Sequence, residues 1–263
     1  MPEGDTIFRA ARTLDRALAG RTVTRFDSVF SKLTGANDDL RVAGRTVERV
    51  DARGKHLLIW FSGDLVLRTH MRMHGSWHIY RPGERWQRPR ADMRIVIGTA
   101  EYEAVAFSVP VAELTSARGL ERDSAVRDLG PDILAEGFDA ADAVSRIQAM
   151  GETEIAEALL DQHAVAGIGN IFKSESLFAA RVDPFARVDT LSDDDVSRVV
   201  DAARRLMRAS AIERPAHFSV YGRGRRPCRR CGTPISSAKQ GEQARLTYWC
   251  ERCQPGSPKP RRG

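Results

Sequence analysis

The sequence predicts an α+β chain in two parts. The first is an antiparallel β-sandwich or barrel preceded by one helix; the second is helical and closes on a four-cysteine ribbon. Three observations predict this. Segments rich in β-branched and aromatic residues, punctuated by glycine, fill residues 22–114. Helical apolar spacing takes over beyond the turn signal Leu129-Gly-Pro-Asp132. All four cysteines fall at the end of the chain as two CxxC pairs. A length of 263 residues is enough for one large domain or two ordinary ones. With 42% hydrophobic and 29% charged residues, the composition is globular, not disordered or fibrous.

The elements follow in order. Ile7, Ala10, Ala11, Leu14, Ala17 and Leu18 recur at three- and four-residue spacing, and Gly20 is a natural stop after them. Strands are expected at 55–61, 64–69 and 93–97. Helices are expected at 140–150, 152–163, 170–180 and 193–211. The last opens with Ser192 followed by three aspartates, which suit the positive end of a helix. Val220-Tyr221 and Leu246-Thr-Tyr-Trp249 read as the strands of the ribbon, and the Pro-, Gly- and Arg-rich end reads as a disordered basic tail. There is no internal repeat.

Charge is placed unevenly. The chain carries +6 overall, from 41 Lys and Arg against 35 Asp and Glu. From His217 onward there are eleven basic and two acidic residues, a net +9; the rest holds 30 and 33, a net −3. A compact basic module is an electrostatic footprint for nucleic acid, with a plain solubilising tail as the bland alternative. No apolar run approaches the roughly 18 residues that span a bilayer. The opening MPEGDTIFRAARTLD has acids where a signal peptide has a cationic region. A cytoplasmic protein with no membrane partner is expected.

Cys228-x2-Cys231-x18-Cys250-x2-Cys253 suits one tetrahedral Zn2+ held by four thiolates. The competing reading, two disulfides, is disfavoured in a chain without export signals. Four protein ligands leave no open position, so the metal is structural and any chemistry lies elsewhere.

Pro2 is one candidate for that chemistry. Removal of Met1 leaves it a secondary amine, nucleophilic when neutral, that forms an iminium with an electrophilic carbon. Glu3 stands ready beside it to move protons. With Met1-Pro2-Glu3-Gly4, Arg53-Gly-Lys55-His-Leu-Leu, Leu160-Asp-Gln-His-Ala-Val-Ala-Gly-Ile-Gly-Asn-Ile-Phe172, Val220-Tyr-Gly-Arg and the ribbon in that order, the chain closely resembles the Fpg/Nei family of DNA glycosylase/AP lyases over nearly its whole length.

The resemblance implies an N-terminal catalytic β-sandwich domain (1–128), a helix–two-turn–helix DNA-binding domain (129–216), a four-cysteine zinc finger (217–254) and the basic tail (255–263). It implies that Pro2 attacks C1′ of a flipped-out nucleotide, that Glu3 assists ring opening and proton transfer, and that Lys55 reaches the sugar–phosphate. An enzyme acting at C1′ must extrude its target from the stack. Asn170 and Arg245 match phosphate-binding residues. The glycines of Ala166-Gly-Ile-Gly-Asn170 are expected to let a phosphate approach the N-terminus of the following helix. Met73 matches the side chain that fills the vacated stack, with Arg72 and His74 beside the orphaned base. Gly4 resembles the endonuclease VIII (Nei) branch, where the Fpg branch has leucine, and the segment from Met207 to Tyr221 is short beside the Fpg lesion-covering loop. The expected activity is therefore bifunctional removal of oxidised pyrimidines with β,δ-elimination, by a monomer acting on damaged double-stranded DNA, with single-stranded or bubble DNA left open. An Fpg-like oxidised-purine glycosylase and a non-catalytic damaged-DNA-binding protein on the same scaffold are the alternatives. Asp5-Thr6 replaces the Pro-Glu of the best-known Nei sequences, which makes Asp5 the candidate for a second acid near the lesion.

Overall fold

A computed structural model describes residues 2–213 and 217–256, with backbone alone at 36–39. The expected tail falls largely outside the described residues. The chain divides into two compact units, one of Met1–Pro2 and Thr6–Asp128, the other of Glu3–Asp5 and Leu129–Gly263.

In the N-terminal unit, α1 (Gly4–Leu18) contributes its apolar stripe of Ile7, Ala11, Leu14 and Leu18 to the core. The chain then runs β1 (Arg25–Ser28), α2 (Ser31–Leu40), β2 (Val47–Arg53), β3 (His56–Phe61), β4 (Leu65–His70), β5 (Ser76–Tyr80), β6 (Met93–Gly98), β7 (Glu103–Phe107) and β8 (Val111–Thr115). Two four-stranded antiparallel sheets result, in the orders β2-β3-β4-β8 and β1-β6-β7-β5. The two-residue side-chain period decides which way each strand faces. Leu57, Ile59, Phe61 and Leu67 of one sheet meet Ile95, Ile97, Ala104 and Ala106 of the other in a single core. The alternate residues are buried too. Leu58 and Val66 lie with Leu120 of α3 (Ala117–Arg122) and Val126 of α4 (Ser124–Arg127). On the other sheet, Val96, Val105 and Phe107 pack with Tyr80 and Trp86. The sandwich is thus covered outside as well as filled inside. The helix α2 interrupts what reads as continuous strand sequence, because Ser31-Lys-Leu-Thr-Gly carries little apolar periodicity.

The C-terminal unit holds α5 (Ala140–Gln148), α6 (Ile155–Ala158), α7 (Asn170–Ala180), α8 (Asp193–Ile212) and the hairpin β9 (Ser236–Gln240)–β10 (Arg245–Trp249). Ser192 and Asp195 form a reciprocal capping box at α8, as the serine and aspartates imply. The helix expected at 152–163 is cut to the four residues of α6. Asp161 accepts the His163 N–H (2.8 Å), and the Gln162 side chain bonds Leu160 O, Ile168 O and the Gly167 N–H. Such local acceptors draw the backbone out of the helical ladder and into turns. Val220-Tyr221 is not a strand either; its N–H groups go to Glu175.

Leu67 is fully buried between the sheets. Leu67→Ala is expected to lower unfolding free energy by about 2–5 kcal/mol through lost transfer energy and a cavity, measured by chemical denaturation followed by tryptophan fluorescence.

Candidate active site and zinc centre

A helix leaves its first N–H groups without partners and its N-terminus electropositive. At α7 the anion that answers is Glu3. Its Oε1 accepts from Ile171 N (2.7 Å) and its Oε2 from Phe172 N (3.2 Å), and the residue is 1% exposed. The glycines make room for it. A Cβ at Gly169 would lie 2.3 Å from Glu3 Cδ, and one at Gly4 3.0 Å from the Gly167 backbone, whose oxygen takes the Gly4 N–H. This corrects the expectation for the glycine loop. The two N–H groups at the start of α7 receive a carboxylate of the chain's own, not a phosphate. Asp5 is also committed, accepting from Ser210 Oγ at 2.6 Å in a buried pair, and so anchors α8 where a second lesion-facing acid was expected.

Asn170, the first residue of α7, donates through Nδ2 to Leu246 O of β10 (2.9 Å), and its Oδ1 is buried with no hydrogen-bond partner among the described residues. Arg245 opens β10, half-buried, with Nε on Gln243 Oε1. Two charged residues that sequence reasoning missed lie further along α7. Lys173 is 1% exposed and donates to Thr247 Oγ1 at 2.8 Å. Burial, followed by the field of Arg245, pushes its amine down to about 8, against the opposing pull of Glu3 and Glu157. Glu175, also buried, accepts the N–H groups of Ser219, Val220 and Tyr221 at 2.8–2.9 Å. Tyr221 shares electrostatic surroundings with Asn170, Glu3 and Arg245, and burial pushes its hydroxyl pKa up.

The N-terminal unit carries the other candidates. Pro2 is half-buried. Lys55 sits, half-buried, at the β2–β3 turn, where Gly54 has a φ of +59°. Its strand neighbour His56 packs edge-on against His70, at 5.0 Å between centroids. Burial and the neighbouring His70 push His56 down to about 3, and burial with the Lys55 charge pushes His70 down to about 4. Both imidazoles are therefore neutral near pH 7, and the positive charge around them comes from Lys55, Arg68 and Arg72. The loop from Met71 to Gly75 joins β4 to β5. Met71 is buried, while Met73 is 56% exposed and Arg72 and His74 are exposed beside it. Arg72 takes a φ of +47°, an uncommon conformation for a branched-free but bulky side chain. Gly75 closes the turn onto Met71 O at 2.9 Å, so close that a Cβ there would clash.

The ribbon brings Cys228, Cys231, Cys250 and Cys253 together, with all four Sγ atoms within 4.8 Å of one another. Cys228 and Cys253 are 3.9 Å apart and Cys231 and Cys250 3.4 Å. A tetrahedron with Zn–S bonds of about 2.3 Å has edges of about 3.8 Å, so the four thiols fit one structural Zn2+. The Cys250 N–H goes to Gln254 Oε1, and Trp249 is buried edge-on to Phe185.

Family models match along the chain: the formamidopyrimidine-DNA glycosylase N-terminal domain at residues 1–110, the formamidopyrimidine-DNA glycosylase H2TH domain at 129–219, and the zinc finger found in FPG and IleRS at 226–256. A probable endonuclease 8 2 of Streptomyces coelicolor is 43% identical over 275 residues, covering 100% of this chain and 97% of its own. The chain belongs to the Fpg/Nei family. A relative from Mycolicibacterium smegmatis named DNA-(apurinic or apyrimidinic site) lyase Nei2 is 38% identical, over 98% of this chain and 100% of its own, and these names fit the Nei branch. The fold is that of the Lactococcus lactis formamidopyrimidine DNA glycosylase bound to DNA containing an AP site (TM-score 0.85, 22% identity, 97% of this chain and 100% of that one). In this Fpg/Nei chain the stretch matched by the H2TH model holds α5 to α8, with α6 and α7 joined by the turns from Leu160 to Val165.

Gly169→Ala is expected to cost about 1–3 kcal/mol by overlap and to unseat Glu3, read as lost hydrogen-exchange protection at the Ile171 and Phe172 amides. One zinc per chain is expected by elemental analysis. A strong chelator should abolish the near-ultraviolet circular dichroism of Trp249 and Tyr248, because metal binding and ribbon folding are one equilibrium.

Proposed function

We propose that this chain is a bifunctional DNA glycosylase/AP lyase of base-excision repair that removes oxidised pyrimidines from double-stranded DNA. The observation that carries the reading is the seat of Glu3. A buried carboxylate is fixed by two N–H groups, directly after the residue whose amine does the chemistry. Such rigidity suits a group that must meet a reacting atom within hydrogen-bond reach.

The Pro2 amine, freed by loss of Met1, attacks C1′ of the extruded nucleotide. The C1′–N bond breaks and the base leaves with the electron pair. The proton lost by the amine passes to the Glu3 carboxylate, which delivers it to the ring oxygen as the sugar opens to the iminium, and the departing base takes its own proton from water. Abstraction of a C2′ proton expels the 3′ phosphate and a second elimination expels the 5′ phosphate; water then releases Pro2. Lys55, Asn170 and Arg245 bind the phosphates flanking the lesion. The exposed Met73 fills the vacated stack, with Arg72 and His74 at the partner base; an apolar side chain held out in water is well placed for such insertion. The zinc, when bound, supplies no chemistry and fixes the hairpin that carries Arg245. A repair enzyme of this kind works on the nucleoid, in the cytoplasm.

The test is borohydride trapping. The Met-processed chain is expected to form a covalent adduct with abasic-site DNA, to nick it with β,δ products, and to excise thymine glycol faster than 8-oxoguanine opposite cytosine. Pro2→Gly, or a retained N-terminal tag, should abolish trapping. Intact cleavage by the tagged chain would refute the iminium route, binding without cleavage would favour a damage sensor, and the reverse lesion preference would favour an oxidised-purine enzyme.

A further inference from the structure

The helix α7 is buried along nearly its whole length, yet Lys173 lies within it. Burying an ammonium is costly, and one hydroxyl acceptor does not offset it. The hydroxyl is itself held in place. Thr247 Oγ1 donates to Gln240 Oε1 (2.6 Å), and Gln240 Nε2 donates to Glu154 Oε2 (2.6 Å) and Pro184 O (3.0 Å). Thr247 and Gln240 are buried as well. This chain of bonds places the Lys173 amine from the ribbon side, whereas its own helix places it one residue beyond the N–H groups that hold Glu3. The charged groups around it are Glu3 from the N-terminal segment, Glu157 of α6 and Arg245 of β10. A lysine kept for packing alone would be replaced at less cost by methionine or leucine.

We propose that Lys173 is a positioning residue for Glu3: a buried cation, fixed by Thr247, whose field keeps Glu3 ionised until it is called on to carry a proton. This rests on the acid–base role given to Glu3 above. Other groups act on that carboxylate as well, among them the α7 N–H donors, the Tyr221 hydroxyl and the adjoining Pro2 amine. Because the lysine amine is itself depressed to about 8, its influence on Glu3 is complete in acid and fades as pH rises past that value.

The experiment follows the carboxyl carbon of Glu3 by NMR in 13C-glutamate-labelled full-length protein, assigned by its absence in Glu3→Gln. Wild type is compared with Lys173→Met, Lys173→Arg and Thr247→Val. Loss of this buried cation is expected to raise the Glu3 midpoint by about one pH unit. Lys173→Arg should restore most of the shift, and Thr247→Val, which keeps the charge but releases the amine, should raise the midpoint by clearly less than Lys173→Met. The acid limb of the single-turnover rate on abasic-site DNA should move with it. A Glu3 midpoint unchanged in folded, zinc-replete Lys173→Met overturns the proposal, as does an equal shift in Thr247→Val. The titration decides the matter even in a protein without lyase activity, so failure of trapping refutes the proposed function separately. Should Lys173→Met not fold, Lys173→Arg and Lys173→Gln are titrated in its place, and an equal midpoint in those two also overturns it.

Discussion

The carboxylate of Glu3 against the N-terminus of α7 is the interaction on which the C-terminal unit's site is organised. It satisfies two N–H groups that a helix cannot satisfy itself, and it supplies negative charge where the helix dipole is positive. It also dictates its neighbours. Gly169 must be glycine to clear the side chain, Gly4 must be small to lie on Gly167, and Asp5 then reaches Ser210 on α8. The conformation of residues 3–5 is thus set by residues beyond 160.

From the same helix two further charges act outward. Glu175 ties down the segment that leads into the first zinc knuckle, and Lys173 and Asn170 hold β10, the strand that begins with Arg245. The metal closes the far end of that strand at Cys250. The helix holds β10 along its length and the ribbon holds its end, so the basic charge concentrated in this region is presented on a braced hairpin.

Much of this was legible in the chain, for identifiable reasons. Cysteine spacing encodes a tetrahedral site directly, and Ser192 with its aspartates encodes a helix start whose capping box the structure contains. The ends of α7 fall at 170 and 180 as apolar spacing predicts, with Gly169 before the helix and Arg181 in a left-handed turn after it. The polar residues inside α7 were not legible. Asn170 reads only as a phosphate contact, and Lys173, Ser174, Glu175 and Ser176 carry no sequence signal of their own, yet all five are buried. The partners of Asn170, Lys173 and Glu175 (Leu246, Thr247 and the 219–221 backbone) lie more than forty residues away, and no local pattern reports them. The same limit explains the glycine loop, where an anion was rightly expected but its source, residue 3, was hidden by distance along the chain. The over-long helix at 152–163 failed differently, because Asp161 and Gln162 satisfy the backbone with side chains in a way apolar spacing does not register.

Residue 3 is made first and its seat last. The Glu3–Ile171 bond spans 168 positions. At synthesis rates of about 5–20 residues per second, the nascent N-terminus precedes its binding partner by roughly 10–35 s. By the last third of that interval the N-terminal sandwich has all of its own strands, through β8, but Glu3 still has no α7 to receive it. Fixing of Glu3 therefore waits on the C-terminal unit, and a truncated chain that ends before residue 170 lacks the N–H groups that hold it.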